Sequence, residues 1–304
     1  MTEAKADDCC LICGARSFEP LISITDVPTL CNRLCASEAE AANALRGIIT
    51  LCYCRDCGHV VNSAFDQARV NYDGRFENTL MFSARYREYA KVTADRVINR
   101  YALKEKRIVE IGCGNGDFLR LLCGAGNHGE GYDPSQPTSR WEVGRGRVEI
   151  IGRNFAAEDA RGADFVCCRH VLEHLRDPMN LLRRLRESLD GRDEAIVFFE
   201  VPNGLFTLDR LGVWDIIHEH VSYFMPSSLV RGFERAGFRV CSAEAAFDGQ
   251  YLWVEARVDR QVSSSDPPAR PSDALYSSLA HVLRIRWRSG VGGSRTREPK
   301  AGML

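Results

Sequence analysis

Residues 107–118, RIVEIGCGNGDF, constrain this chain more than any other stretch, because they run an apolar strand straight into a glycine loop and a helix. Ile108, Val109 and Ile111 suit a strand covered on both faces, as in a parallel sheet. Gly112, Gly114 and Gly116 remove the Cβ atoms that keep a ligand off the backbone, and Leu119, Leu121 and Leu122 continue as a helix. A dinucleotide fingerprint needs a third glycine at the sixth position of G-x-G-x-x-G, to pack helix on strand around a pyrophosphate; here that position is Asp117. A carboxylate at a helix N-terminus suits the helix dipole but repels a pyrophosphate, so the pattern favours a cationic ligand without phosphate. Glu110 stands just before the loop, and Asp133 closes the next predicted strand, HGEGYD, where a carboxylate can accept both hydroxyls of a ribose.

This register, an acidic residue followed by three alternate glycines and then Asp133, resembles the class I methyltransferases that depend on S-adenosylmethionine (SAM). The downstream pattern agrees with an α/β fold. Residues 107–111, 128–132, 147–151, 163–168 and 194–200 read as strands, with helices near 115–123 and 177–189 between them, which predicts a doubly wound, mostly parallel sheet. Ser227 is the expected cap of a helix, PSSLVRGFERAGF, that ends at Gly237. FRVCSAEAAF and QYLWVEARV then alternate like an antiparallel pair turning at Asp248-Gly249. The resemblance implies that this pair closes a seven-stranded, Rossmann-like sheet.

Thirteen cysteines need a different explanation. A formal net charge of -1 and 45% hydrophobic residues describe an ordinary globular protein, with no basic excess to suggest nucleic acid or an anionic membrane. No run of 18 apolar residues exists and MTEAKADDCC lacks the apolar core of a signal peptide, so the expected location is the cytoplasm, where disulfides are rare. Eight cysteines fall in the first 57 residues, and four form two C-x-x-C knuckles, Cys10/Cys13 and Cys54/Cys57, each followed by a glycine. That is zinc-ribbon spacing: four sulfurs make a closed, structural Zn²⁺ site. Cys9, Cys31, Cys35 and Cys52 are further thiols able to substitute.

The chain therefore divides into an expected zinc-binding domain at 8–65, a helical linker at 66–104, a methyltransferase domain at 105–260 and a disordered basic tail at 261–304. The linker segment from Asn71 is mostly an amphipathic helix, with Tyr89, Val92, Val97 and Tyr101 placed to face a core. In the tail, QVSSSDPPARPSD reads as a Ser/Pro linker, and the last 21 residues carry six basic groups against one acidic.

Chemistry is expected from VWDIIHEHVSYF, residues 213–224. In a strand His218 and His220 would share one face and Glu219 the other, whereas in an irregular loop all three would be free to converge. H-x-H can chelate, but a third ligand and the helical H-E-x-x-H pattern are missing. Histidines satisfied by hydrogen bonds under the sheet edge are a second reading. General acid/base catalysis is the third, since an imidazole titrates near operating pH and a neighbouring carboxylate can orient it. His170 and His174 follow the strand that ends at Cys167 or Cys168, so Arg169 and His170 are placed to line the cofactor pocket.

Taken together, the two knuckles, Asn71-Tyr72, VEIGCGNGDF, GYDPS, CRHVLEHL and HEHVSYF closely resemble the SAM-dependent sugar C-methyltransferases of deoxysugar biosynthesis, over residues 10 to about 258. The resemblance implies C-methylation at carbon 3 of a nucleotide-linked 4-keto-2,6-dideoxysugar through an enolate. It implies His220 as base, Glu219, Tyr72 and His174 around the sugar, and Glu110, Gly112, Asp133, Asn154, Phe155 and Arg169 around SAM, with Gly114 and Gly116 completing the loop. Two features depart from the family. Ile217 stands where members carry tyrosine before H-E-H, and longer members continue into a third domain where this chain passes into linker and tail. O- or N-methylation of another small metabolite, a SAM- and zinc-binding module without turnover, and a nicotinamide oxidoreductase are the alternatives.

Overall fold

The structure, a computed structural model, describes residues 9–70 and 79–259. The N-terminal module holds β1 (Phe18–Pro28), α1 (Glu38–Ala42), β2 (Arg46–Cys54) and β3 (Val60–Asn62). After α2 (Ala84–Arg100) come β4 (Arg107–Ile111), α3 (Asp117–Cys123), β5 (His128–Tyr132), β6 (Ser139–Val143), β7 (Gly146–Ile151), β8 (Phe165–Arg169), α4 (Pro178–Ser188) and β9 (Ile196–Pro202). The rest is α5 (Gly204–Asp209), β10 (Ser222–Tyr223), α6 (Pro226–Arg235), β11 (Phe238–Ala246) and β12 (Tyr251–Val258).

Eight strands form the large sheet, in the order β11-β12-β9-β8-β4-β5-β7-β6. The five from β9 to β7 are parallel, and antiparallel partners close both edges. The expected seven strands thus gain one. The extra strand, β6, is an edge strand exposed or half-exposed along its length, so it carries no apolar alternation to announce it. The chain leaves β4 to β5 on one side and later to β8 on the other, so the strand order reverses beside β4. In an open α/β sheet the carboxyl ends at such a reversal form the ligand crevice.

Local chemistry explains the helices. Asp177 accepts the Asn180 N–H ahead of Pro178 at the start of α4, which buries Met179, Leu182 and Leu185. At α6 the cap is Met225, whose N–H donates to Ser228 Oγ at 3.0 Å, rather than Ser227: Pro226 occupies the first turn and shifts the start. Helix α2 begins at Ala84, capped by Ser83, and not near Asn71; residues 71–78, including Asn71 and Tyr72, lie outside the described residues, as does the expected tail. Tyr86, Ala90, Ala94 and Val97 form its buried stripe, while Val92, expected inside, is 55% exposed because it falls on the opposite face.

A second sheet, β1-β2-β3-β10, joins the N-terminal module to the segment after H-E-H. Ser222 and Tyr223 pair antiparallel with Val61 and Val60, so the segment following H-E-H is held by the N-terminal module. Ile49, Leu51, Tyr53 and Val60 pack there with Leu208, Tyr223 and Met225, and each such fully buried side chain contributes roughly 1.5–3 kcal/mol. Among the described residues no helix is long and apolar enough to cross a membrane.

Candidate active site

The glycine loop lies at the carboxyl end of β4. Gly112, Gly114 and Gly116 all take positive φ, at 66°, 52° and 78°. A Cβ on Gly112 would meet Val171 Cγ2 at 2.2 Å, and one on Gly116 would meet Ile150 Cδ1 at 2.8 Å, so the loop tolerates neither side chain without displacement. Asp133 Oδ2 accepts the Gly114 N–H at 2.9 Å, and its Oδ1 accepts both the N–H and the hydroxyl of Ser135. The Asp133 carboxylate, just past β5, is thereby locked against the loop. Glu110 is 3% exposed, and its Oε2 has no hydrogen-bond partner among the described residues. Burial pushes its carboxyl up to about 8, with Arg169 opposing. Phe155 packs edge-on against Tyr132 at 5.7 Å, and Asn154 is exposed beside it.

At the end of β8, Arg169 is buried, with Nε and Nη2 on Glu200 Oε1 at 3.1 and 2.7 Å and its guanidinium 4.1 Å from the centre of the Phe118 ring. Tyr86 and Tyr89 of α2 complete this group: the Tyr86 hydroxyl accepts from Arg169 and the Tyr89 hydroxyl donates to Glu200. Burial would raise the Glu200 carboxyl, but Arg169 and then His170 overcome it and hold Glu200 down at about 2. His170 adopts φ 56°, in the left-handed region that few residues other than glycine enter, with Nε2 3.1 Å from Glu200 Oε1. Burial disfavours its charged form, yet Glu173 and Glu200 outweigh it and push His170 up to about 10.

H-E-H forms a turn, and its three side chains neither alternate as in a strand nor converge. His218 enters the N-terminal module, against Phe65 at 5.5 Å, in space left by the missing Cβ of Gly47. Glu219 Oε2 accepts the Cys31 N–H at 2.8 Å. His220 Nδ1 donates to the Asp215 carbonyl at 2.8 Å, and its ring meets His174 edge-on at 4.9 Å. A carbonyl only accepts, so the ring proton sits on Nδ1 and the lone pair on Nε2. His174 Nδ1 in turn faces the Glu219 carbonyl at 3.1 Å. The H-x-H chelate therefore does not form, since His218 points away; instead single side-chain atoms of Glu173, His174 and His220, a grouping the sequence did not suggest, all lie within 4.8 Å of one another. Burial, then His174, bring His220 down to about 3, with Glu173 opposing.

The four knuckle cysteines are also brought together, all four sulfurs within 4.8 Å. Cys10 and Cys57 Sγ are 3.4 Å apart and Cys13 and Cys54 Sγ 3.6 Å, close to the roughly 3.8 Å expected between thiolates on a tetrahedral Zn²⁺ with 2.3 Å bonds. Gly14 and Gly58, at φ 75° and 77°, turn each knuckle, and their N–H groups donate to the Cys10 and Cys54 carbonyls at 2.8 Å. The donor set fits zinc. Cys9, Cys31 and Cys35 are exposed elsewhere and Cys52 lies beside Ser63, so none substitutes in this cluster.

Residues 85–243, more than half of the chain, match the family model described as a methyltransferase domain. The chain belongs to this family. It is a SAM-dependent methyltransferase with a Rossmann-like α/β fold. Among curated relatives of this methyltransferase, the ubiquinone biosynthesis O-methyltransferase of Aromatoleum aromaticum is 28% identical over 165 residues, covering 47% of this chain and 68% of the relative. That of Ralstonia nicotianae is 32% identical over 151 residues, covering 44% and 62%. The chain thus spans about two thirds of the length of these relatives. Among solved structures, the magnesium protoporphyrin IX methyltransferase of Synechocystis PCC 6803 with bound SAH aligns at 16% identity and a TM-score of 0.44, covering 58% of this chain and 84% of that one.

Several residues of the candidate site escaped the sequence reading. Glu200 is a lone carboxylate inside the apolar run IVFFEVP, an oddity that marks a buried charge in need of a partner. Glu173 was hidden inside CRHVLEHL between two histidines, and Asp215 contributes a carbonyl, which no side-chain pattern reveals.

Proposed function

We propose that the enzyme methylates a carbon next to the ketone of a nucleotide-linked keto-deoxysugar, with His220 as the base. The observation that carries this reading is the anchoring of His220 Nδ1 on the Asp215 carbonyl, which fixes the tautomer and leaves Nε2 to take a proton at the carboxyl edge of the sheet. Burial keeps the imidazole neutral, and therefore able to accept, across the physiological range. The imidazolium formed on proton transfer faces the Glu173 carboxylate, which favours that charge. His174, edge-on to His220, and Glu219, whose backbone carbonyl holds His174, shape the acceptor side, with Tyr72 assigned to the same side by family resemblance.

On the cofactor side, Gly112, Gly114 and Gly116 would let SAM approach the backbone and Asp133 would take its ribose hydroxyls. Glu110, Asn154, Phe155, Arg169 and His170 would border it. SAM, when bound, supplies a methyl group already activated on a sulfonium, so the protein contributes position, a base and exclusion of water. The cysteine cluster, carrying Zn²⁺, would stabilise the N-terminal module that holds β10.

Incubation with a nucleotide-linked keto-deoxysugar in deuterated water, without SAM, tests the base. Deuterium should enter the carbon next to the ketone with the wild type and not with His220→Asn. No exchange in the wild type would remove the carbon acceptor. A second reading, methylation of a hydroxyl, is favoured by the low proton affinity of His220, which suits an O–H better than a C–H, and by the named activity of the relatives. NMR of the methylated product separates the two.

A further inference from the structure

We propose that Glu173, His174 and His220 also bind a divalent transition-metal cation, and that the cation excludes His220 from acting as base. Glu173 sits in the single turn of 3₁₀ helix after β8 and is 1% exposed, yet neither carboxylate oxygen has a hydrogen-bond partner among the described residues. Its one close charged partner is His170, whose Nδ1 stands 3.8 Å from its Oε1, an ion-pair distance beyond hydrogen-bonding range. A buried carboxylate that has an ion pair but no hydrogen-bond donor among the described residues is incompletely compensated, and a directly ligated metal ion would complete it.

Both imidazoles are oriented as metal ligands usually are. His174 and His220 each direct Nδ1 at a backbone carbonyl, of Glu219 and Asp215, the hydrogen bond that commonly orients a ligating imidazole, and in His220 it leaves the lone pair on Nε2. Two imidazoles and one carboxylate, with ligand atoms within 4.8 Å of one another, form a nitrogen-and-oxygen set suited to Co²⁺, Ni²⁺ or Zn²⁺. This chemistry differs from the four thiols of Cys10, Cys13, Cys54 and Cys57, so the two sites are separable by spectrum. His220 has one lone pair, and it serves either a proton or a metal. The exclusion therefore rests on His220 being the base, whereas the site itself does not.

Full-length protein with its cysteine cluster loaded with Zn²⁺ is titrated with Co²⁺ in the absence of acceptor. One further Co²⁺ per chain is expected, with weak visible bands of nitrogen and oxygen ligation and no thiolate charge-transfer band. Glu173→Gln and His220→Asn should each weaken this binding by at least about tenfold, the lower end of what even outer-shell changes cost. X-ray absorption at the cobalt edge of the wild type, which needs no variant, should show imidazole scattering and no sulfur. Methyl transfer should fall as the cobalt bands rise and return on chelation. Absent bands, sulfur ligation, or equal affinity in both variants would overturn the site. Unchanged methyl transfer at cobalt saturation would instead overturn the exclusion, and with it the assignment of the base.

Discussion

The glycine cradle and the histidine cluster belong to one sheet edge but are built in opposite ways. The cradle uses contiguous backbone: three glycines at positive φ, and one carboxylate that grips the Gly114 N–H from the neighbouring strand. The cluster uses side chains from two separate segments, Glu173 and His174 after β8 and His220 after α5, steadied by carbonyls of Asp215 and Glu219. The turn that carries His220 is also tied to the N-terminal module, through β10, through Glu219 to Cys31 and through His218 beside Gly47. A site made of backbone binds through shape set by the strand–turn–helix alone. A site made of distant side chains depends on the packing of the whole molecule, and changes to it should separate binding from turnover.

Replacing His220 with asparagine gives the largest expected effect. Loss of a positioned base typically costs about 10²–10⁴-fold in rate, so methyl transfer should fall by that order while binding of S-adenosylhomocysteine (SAH) stays unchanged. Equal loss of SAH binding would show that the two regions are one. Stripping metal from the cysteine cluster comes next. Cys10, Cys54 and Cys57 share a core with Leu182 and Phe233 of the methyltransferase domain, so chelation should lower Tm by about 2–4 °C for every kcal/mol lost and depress turnover through β10. A Tm that does not move on chelation would mean that the cluster carries no structural metal.

Gly112→Ala probes the cradle alone. Its φ of 66° and the 2.2 Å approach of Val171 predict a cost of about 1–3 kcal/mol, read as roughly 5–150-fold weaker SAH binding. Wild-type affinity in this variant would refute the close approach. A further effect is a pH slope in stability rather than in binding. Glu110 has a folded pKa raised to about 8 from an ordinary value near 4.5, so its contribution to stability is present below 4.5 and is lost as pH rises through about 8. Glu110→Gln should flatten the fall in unfolding free energy between pH 5 and 8 by at most about 1.4 kcal/mol per pH unit. Parallel curves for the two proteins would contradict the assigned burial.

The same contrast explains what was legible in the sequence. VEIGCGNGDF and Asp133 were readable because a strand, a tight loop and a helix N-terminus are each encoded by neighbours, and β4, β5 and β8 lie within a residue or two of their expected places. Cys10, Cys13, Cys54 and Cys57 were readable because a two-residue gap nearly fixes where two sulfurs meet. H-E-H was noticed, but its geometry was not: a turn sends His218, Glu219 and His220 to three different neighbours, and only tertiary packing decides which. Glu173 became visible only when the fold set its carboxylate, without a hydrogen bond among the described residues, beside two imidazoles. Val92 was misplaced because a one-residue error in helix phase turns a side chain by about 100°, enough to move it from core to solvent.

Calorimetric titration of SAH into the wild type, Asp133→Ala and His220→Asn tests the central claim most directly. Binding by the wild type, at least about tenfold weaker binding by Asp133→Ala and unchanged binding by His220→Asn is the predicted result, since each lost hydrogen bond to a charged group is worth about 1.5–3 kcal/mol. Undiminished affinity in Asp133→Ala, or a loss in His220→Asn as large as that in Asp133→Ala, would contradict a cofactor cradle that works apart from the histidine cluster.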